Sequence, residues 1–205
     1  MSRQGERRTI PGPAGTIEIA LHRPEQPPRG IALVAHPHPL QGGTMDNKVV
    51  QTLAKTFFQL GYGVARFNFR GVGGSSGEFD EGIGETEDAL AVLEFARGEF
   101  GEHPIVLAGF SFGSYVQTRL YDRLHAQATI ERVVLIGPAV RRFQVGAVPA
   151  DTLVVHGEED DVVPLADVFA WARPQQLPII VFPGSGHFFH GRLVQLQQVI
   201  ERSWR

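Results

Sequence analysis

The sequence predicts an α/β fold: one domain, residues 1–205, on a single doubly wound, mostly parallel sheet with helices on both faces. Three observations predict it. Short β-rich apolar runs alternate with longer stretches of helical periodicity, the pattern of strands joined by crossover helices. Ile31–Ala35 is apolar throughout, as a strand buried on both faces must be. No internal repeat, low-complexity tract or long linker divides the 205 residues, a length that one core accommodates.

The elements follow in order. Ile17–Leu21 alternates as a half-buried edge strand does, and Ile31–Ala35 follows as a buried strand. Between Asp46 and Leu60, Val49, Val50, Leu53, Ala54 and Phe57 recur at helical spacing, and Gly61 terminates the helix. Gly63–Phe69 is the next strand. Thr86–Arg97 is a helix with Ala89, Leu90, Leu93 and Ala96 on one face. Pro104–Ala108 is a strand and Phe112–Leu124 a helix striped by Val116, Leu120 and Leu124. Val133–Ile136, Leu153–Val155 and Ile179–Phe182 add three strands, and Leu193, Leu196 and Ile200 mark a last amphipathic helix.

Composition narrows the function. Apolar residues make up 42% and charged residues 20%, which is ordinary for a globular chain. The net charge is −3 and the 19 Lys and Arg are scattered, so nucleic acid is not the expected partner. Arg7-Arg8 and Arg141-Arg142 are the densest basic spots and read as solvated surface. With no cysteine, disulfides, thiolate catalysis and Cys-ligated zinc are excluded. Met1–Pro13 is polar and lacks the apolar core of a signal peptide, and no apolar run approaches the ~20 residues that span a bilayer. A cytoplasmic protein without a membrane partner is expected.

The chemistry gathers at predicted strand ends, where ligands sit in doubly wound sheets. Gly109-Phe110-Ser111-Phe112-Gly113 fits G-x-S-x-G, between the strand Ile105-Val106-Leu107-Ala108 and an amphipathic helix. The glycines relieve crowding in a sharp strand-to-helix turn that lifts the serine Oγ toward substrate, while the helix aims its free N–H groups at the reacting carbonyl. Downstream, Leu153–Val155 runs on through His156-Gly157 into Glu158-Glu159-Asp160-Asp161, and Ile179–Phe182 runs into Pro183-Gly184-Ser185-Gly186-His187. Ser111, Asp160 and His187 therefore form the expected nucleophile, acid and base. His187 takes the Ser111 proton and Asp160 fixes the imidazole tautomer. Asp161 stands as the alternative acid and His190 as the alternative base.

With those residues in view, the chain resembles the α/β-hydrolase superfamily over nearly its whole length. Ala35-His36-Pro37-His38-Pro39-Leu40-Gln41-Gly42-Gly43-Thr44-Met45-Asp46-Asn47-Lys48-Val49-Val50 and Arg66–Gly77 look like stretches of small bacterial hydrolases related to dienelactone hydrolases. The resemblance implies an esterase-like serine hydrolase, and the expected reaction is cleavage of a small ester or thioester through an acyl-enzyme intermediate. It implies an oxyanion hole made by the Phe112 N–H and a second N–H after Ile31–Ala35. Pro37 and Pro39 have no N–H, which leaves His38 or Leu40 as the second donor. Ser111 stands where dienelactone hydrolases proper carry cysteine, so their substrate is not carried over. Cap domains of this fold enter after the strand matching Val133–Ile136, and the short stretch from there to Leu153, broken by Pro138 and Pro149, encodes none.

No cofactor or metal is expected. His36 and His38 with His187 and His190 lack a neighbouring carboxylate pattern for metal. Gly71–Gly77 lacks the G-K-[ST] of a phosphate loop and reads as a tight turn bordering the site. Asn47 and Lys48 open a helix. The rival readings are a catalytically inactive binding protein of the same fold, and an acyltransferase or peptidase using the same three residues.

Overall fold

The computed structural model describes residues 5–204; Met1–Gln4 and Arg205, parts of the expected polar opening and of the domain span, lie outside the described residues. Among the described residues, eight strands form one sheet in the order β1-β2-β4-β3-β5-β6-β7-β8. Glu6–Gly12 (β1) and Gly15–His22 (β2) make a hairpin. Ile31–Ala35 (β3), Gly63–Phe67 (β4), Ile105–Phe110 (β5), Ile130–Ile136 (β6), Leu153–Gly157 (β7) and Ile179–Phe182 (β8) pair in parallel. β2 joins β4 antiparallel, which makes the sheet mixed at that end only.

The helices are Lys48–Gln59 (α1), Ile83–Phe100 (α2), Phe112–Leu124 (α3), Leu165–Ala172 (α4) and Leu193–Arg202 (α5). Strand alternation divides the core between the two faces. Leu33, Phe67 and Leu107 meet Leu93 of α2 and Leu120 of α3 on one side. Val34, Val64, Val106 and Val134 meet Val50 and Phe57 of α1 and Leu196 of α5 on the other. Asn47 accepts the Val49 N–H at 2.9 Å and caps α1, as its position before the apolar stripe predicts. No helix of the described residues is long and apolar enough to cross a membrane.

Three expectations are corrected. β2 is not the edge, because β1 covers it. β1 escapes a periodicity search because Ile10 is its one buried residue, and its charges and Pro11 are what an edge strand carries to discourage further pairing. Arg7 and Arg8 are not merely solvated: Arg7 grips both Asp46 oxygens at 2.6 Å, and Arg8 reaches Glu6 and Glu99. α2 starts earlier than Thr86 because Glu85 accepts the Asp80 and Gly82 N–H groups at 2.9 and 2.8 Å and closes its first turn. The short α4 is a further element that no long apolar stripe announces.

The strand registers align the carboxyl ends. Ala35 stands beside Gly109, Phe110 beside Ile136, and Gly157 beside Phe182. The loops leaving β3, β5, β7 and β8 therefore open on one end of the sheet.

Candidate active site

Ser111 follows β5 with φ 54° and ψ −117°, a backbone state that non-glycine residues avoid and that costs about 1–3 kcal/mol where surroundings enforce it. The surroundings are specific. A Cβ on Gly109 would lie 2.4 Å from the Gly113 backbone, and one on Gly113 would lie 2.4 Å from the Ala35 oxygen. Both positions are closed to any side chain, which is the steric content of the glycine–serine–glycine spacing. The Ser111 N–H donates to the Ile136 oxygen at 2.9 Å, and Ser114 Oγ donates to the Gly109 oxygen at 2.9 Å, so the turn is anchored before and after the serine.

Asp160 and His187 come from separate loops that are stitched together. The Glu158 N–H donates to the Phe182 oxygen at 3.0 Å, the Glu159 N–H to the Ser185 oxygen at 2.9 Å, and the Gly184 N–H to Glu158 Oε2 at 2.9 Å. Gly157 permits this approach, since a Cβ there would sit 2.3 Å from the Ser185 oxygen. Asp160 Oδ1 accepts the Val162 and Val163 N–H groups at 3.0 and 2.8 Å. Its Oδ2 then accepts His187 Nδ1–H at 2.6 Å. The bonded carboxylate oxygen fixes which imidazole nitrogen carries the proton. Burial disfavours the Asp160 charge, but the His187 hydrogen bond and charge and the Val163 N–H outweigh it and hold the carboxyl below its usual range. Asp161 and His190 are exposed and take no part in this bond.

The His187 ring packs on Phe110, the residue before Ser111, with ring centroids 4.9 Å apart. Gly137 makes room for it: a Cβ there would lie 3.2 Å from His187 Cε1. Gly137 is a site-building residue that the sequence reading passed over, although a glycine directly after a strand at the ligand end is a usable signal.

Neither the Phe112 N–H nor the His38 N–H has an acceptor in the turns and loops of the described residues. The Leu40 N–H is already turned toward His38 Nδ1, at 3.2 Å, in the short 3-10 turn Pro39–Gln41. His38 stays neutral, its pKa lowered by burial and by the charge of Arg142. His36 is a structural residue: Nδ1–H donates to the Pro37 oxygen at 2.6 Å, Nε2 accepts the Phe69 N–H at 3.0 Å, and burial drives its pKa down to about 3.

A family model described as serine aminopeptidase, S33, matches residues 26–144. A structure of an alpha-beta serine hydrolase homologue from Coxiella burnetii superposes with a TM-score of 0.90 at 37% identity, covering all of both chains. A serine hydrolase without lid from Xanthomonas campestris does so with a TM-score of 0.90 at 35% identity, over 99% of this chain and 94% of the other. An uncharacterised protein of Rickettsia prowazekii is 37% identical over 203 residues, 92% of this chain and 84% of its own. The chain belongs to the S33 serine hydrolase family of the α/β-hydrolase superfamily.

As in its lidless relative, no cap stands between β6 and β7 of this hydrolase; the segment holds turns only. His38, Gln41, Ser111, Phe112, Ala139, Arg142, Phe143, Val162 and Val163 line a cleft of about 20 Å3, room for roughly one water. A larger cavity of about 830 Å3 lies elsewhere, between β2 and α1 around His22, Phe58 and Arg66, and shares no residue with the cleft. Chemistry and geometry single out the small cleft. Gly71–Gly77 does not line it: the Gly74 N–H donates to Glu18 of β2 at 2.9 Å, and Ser75 Oγ closes on the Asn68 oxygen at 2.7 Å. Among the described residues, no group of His, Asp or Glu is arranged to hold a metal ion.

Proposed function

We propose that this serine hydrolase cleaves small esters or thioesters with Ser111 as nucleophile, His187 as base and Asp160 as acid. The reading rests above all on the 2.6 Å bond joining Asp160 to His187 Nδ1, at the sheet end that carries the strained serine. With Nδ1 committed, Nε2 is left to take the Ser111 proton. Oγ attacks the acyl carbonyl, and the oxyanion is received by the Phe112 and His38 N–H groups. The imidazolium then protonates the leaving alkoxide or thiolate, and water hydrolyses the acyl-enzyme by the reverse sequence.

A cleft with room for one water holds little of the acyl chain. The chain lies instead across apolar side chains at the mouth: Val162, 41% exposed and lining the cleft; Leu40, between His38 and Gln41; and Phe188, packed on the His187 ring. The test is a series of p-nitrophenyl esters of increasing chain length, with fluorophosphonate labelling of purified protein. Labelling that disappears in Ser111→Ala and turnover of short esters support the reading. Absent labelling, or labelling that survives Ser111→Ala, overturns it, and faster turnover of aminoacyl anilides than of esters replaces it with the aminopeptidase reading.

A further inference from the structure

His156 is the fourth residue of β7, a strand buried at every position, and its side chain is fully inaccessible. Valine or leucine would fill such a position without any polar atom to satisfy, so an imidazole there is costly unless its nitrogens are used. One is. Nε2 lies 2.8 Å from the Val163 oxygen, and because a carbonyl oxygen only accepts, that nitrogen carries the proton. Nδ1 has no partner among the described residues, so only the Nε2 bond offsets the desolvation of the ring. Burial lowers the pKa of the ring and keeps it neutral.

What the Nε2–H holds is the backbone of Val163, and the same residue holds Asp160. The Val163 N–H donates to Asp160 Oδ1 at 2.8 Å, while its oxygen takes the His156 proton. The same polar edge of His156 stands 3.4 Å from Asp160 Oδ2, the oxygen that receives His187 Nδ1–H. The carboxylate is thus set by its Oδ1 contact to a residue that His156 pins, and both His156 and His187 approach its Oδ2. Because His156 is uncharged, it orients the carboxylate without competing as a second cation for the charge that His187 needs.

We infer that His156 is a positioning residue for the acid: by clamping the backbone of Val163 beside Asp160, it keeps Oδ2 aimed at His187 and so holds His187 in the Nδ1–H tautomer. The inference rests on the reading of Ser111, His187 and Asp160 as the catalytic residues, and it adds a role for a histidine that the reaction itself never touches.

Two variants separate positioning from packing. His156→Leu keeps volume and removes the donor, whereas His156→Gln places an N–H donor at similar reach. The expected result for His156→Leu is a kcat lowered roughly tenfold or more with KM within about twofold, together with loss or upfield movement of the low-field His187 Nδ1–H proton resonance. His156→Gln returns kcat to within about threefold of the parent and restores the resonance. An unchanged kcat and resonance in His156→Leu, or a Gln variant no better than Leu, overturns the inference. Should the Leu variant not fold, imidazole nitrogen NMR of the unaltered protein decides: His156 is expected as the neutral Nε2–H tautomer throughout the ordinary histidine range, and an Nδ1–H tautomer or an imidazolium overturns the inference. These resonances are read without turnover, so they report on His156 even if the ester reading fails at the labelling step.

Discussion

The two arms of the site are built by different means. The Ser111 arm is local and steric: five consecutive residues, two of them closed to any Cβ, impose a strained turn between one strand and one helix. The Asp160–His187 arm is assembled from distant segments by hydrogen bonds, with two loops laced at three points and a buried bond across them. The strained turn of the first arm is held by backbone contacts to its two glycines and by the Ser111 N–H bond to Ile136. The second depends on every member of a chain of donors and acceptors, and single polar substitutions there tune it.

Ser111→Ala removes the proposed nucleophile without touching the sterics of the turn. Turnover is expected to fall by about 10⁴-fold or more while circular dichroism and Tm stay near the parent. Asp160→Asn sets the two carboxylates of the second arm against each other: it should cost roughly 10³- to 10⁴-fold in kcat by upsetting the His187 tautomer. Asp161→Asn should leave kcat within about twofold, and the reverse pattern would transfer the acid role to Asp161. Gly113→Ala probes the first arm as structure: a methyl group 2.4 Å from the Ala35 oxygen is expected to destabilise by at least about 2–3 kcal/mol in chemical denaturation, losing fold and activity together.

Acid should weaken the fold through protonation. His22 and His36 have folded-state pKa values lowered from 6.5 to about 4 and about 3, chiefly by burial, so at mildly acid pH the unfolded chain binds protons that the folded chain refuses. Their contribution is complete above about pH 6.5 and is lost as pH falls toward those values. The depressed Asp160 carboxyl adds a loss of the same sign at lower pH still. A Tm series from pH 8 to 4 should therefore decline steadily below about 6.5, and a flat profile would contradict the burial of these rings. The smallest effect belongs to the rim. Phe188→Ser is expected to lower kcat/KM for longer-chain esters by about three- to tenfold while leaving the acetate ester nearly unchanged, and an equal loss on both would place the acyl chain elsewhere.

The strained turn of the first arm was legible in the sequence because most of its cause lies within five residues. G-x-S-x-G between a strand and a helix contains the glycines, the strain and the helix start together. The second arm was legible in outline: Asp160 and His187 each follow a predicted strand, in the order such sites use. Choosing Asp160 over Asp161 depends on which carboxylate the Val162 and Val163 N–H groups capture, and no spacing rule contains that. Gly137 and His156 act only through neighbours brought from other strands, and β1 is nearly silent because an edge strand needs charge more than pattern. The His38 and Leu40 N–H groups part only once the 3-10 turn spends one of them.

The strand order has a consequence in time. Ser111, Asp160 and His187 follow β5, β7 and β8, and β8 lies at the rim of the sheet, held on one side by β7 alone. A chain with β3, β4 and β5 already paired has a strained serine and no base beside it. On the proposed reading, hydrolysis needs β8 docked on β7 as well as β5 in place, so a molecule whose β8 is undocked lacks its base. Recovery of activity after denaturation accordingly reports the docking of the β8 edge, not the pairing of the central strands alone.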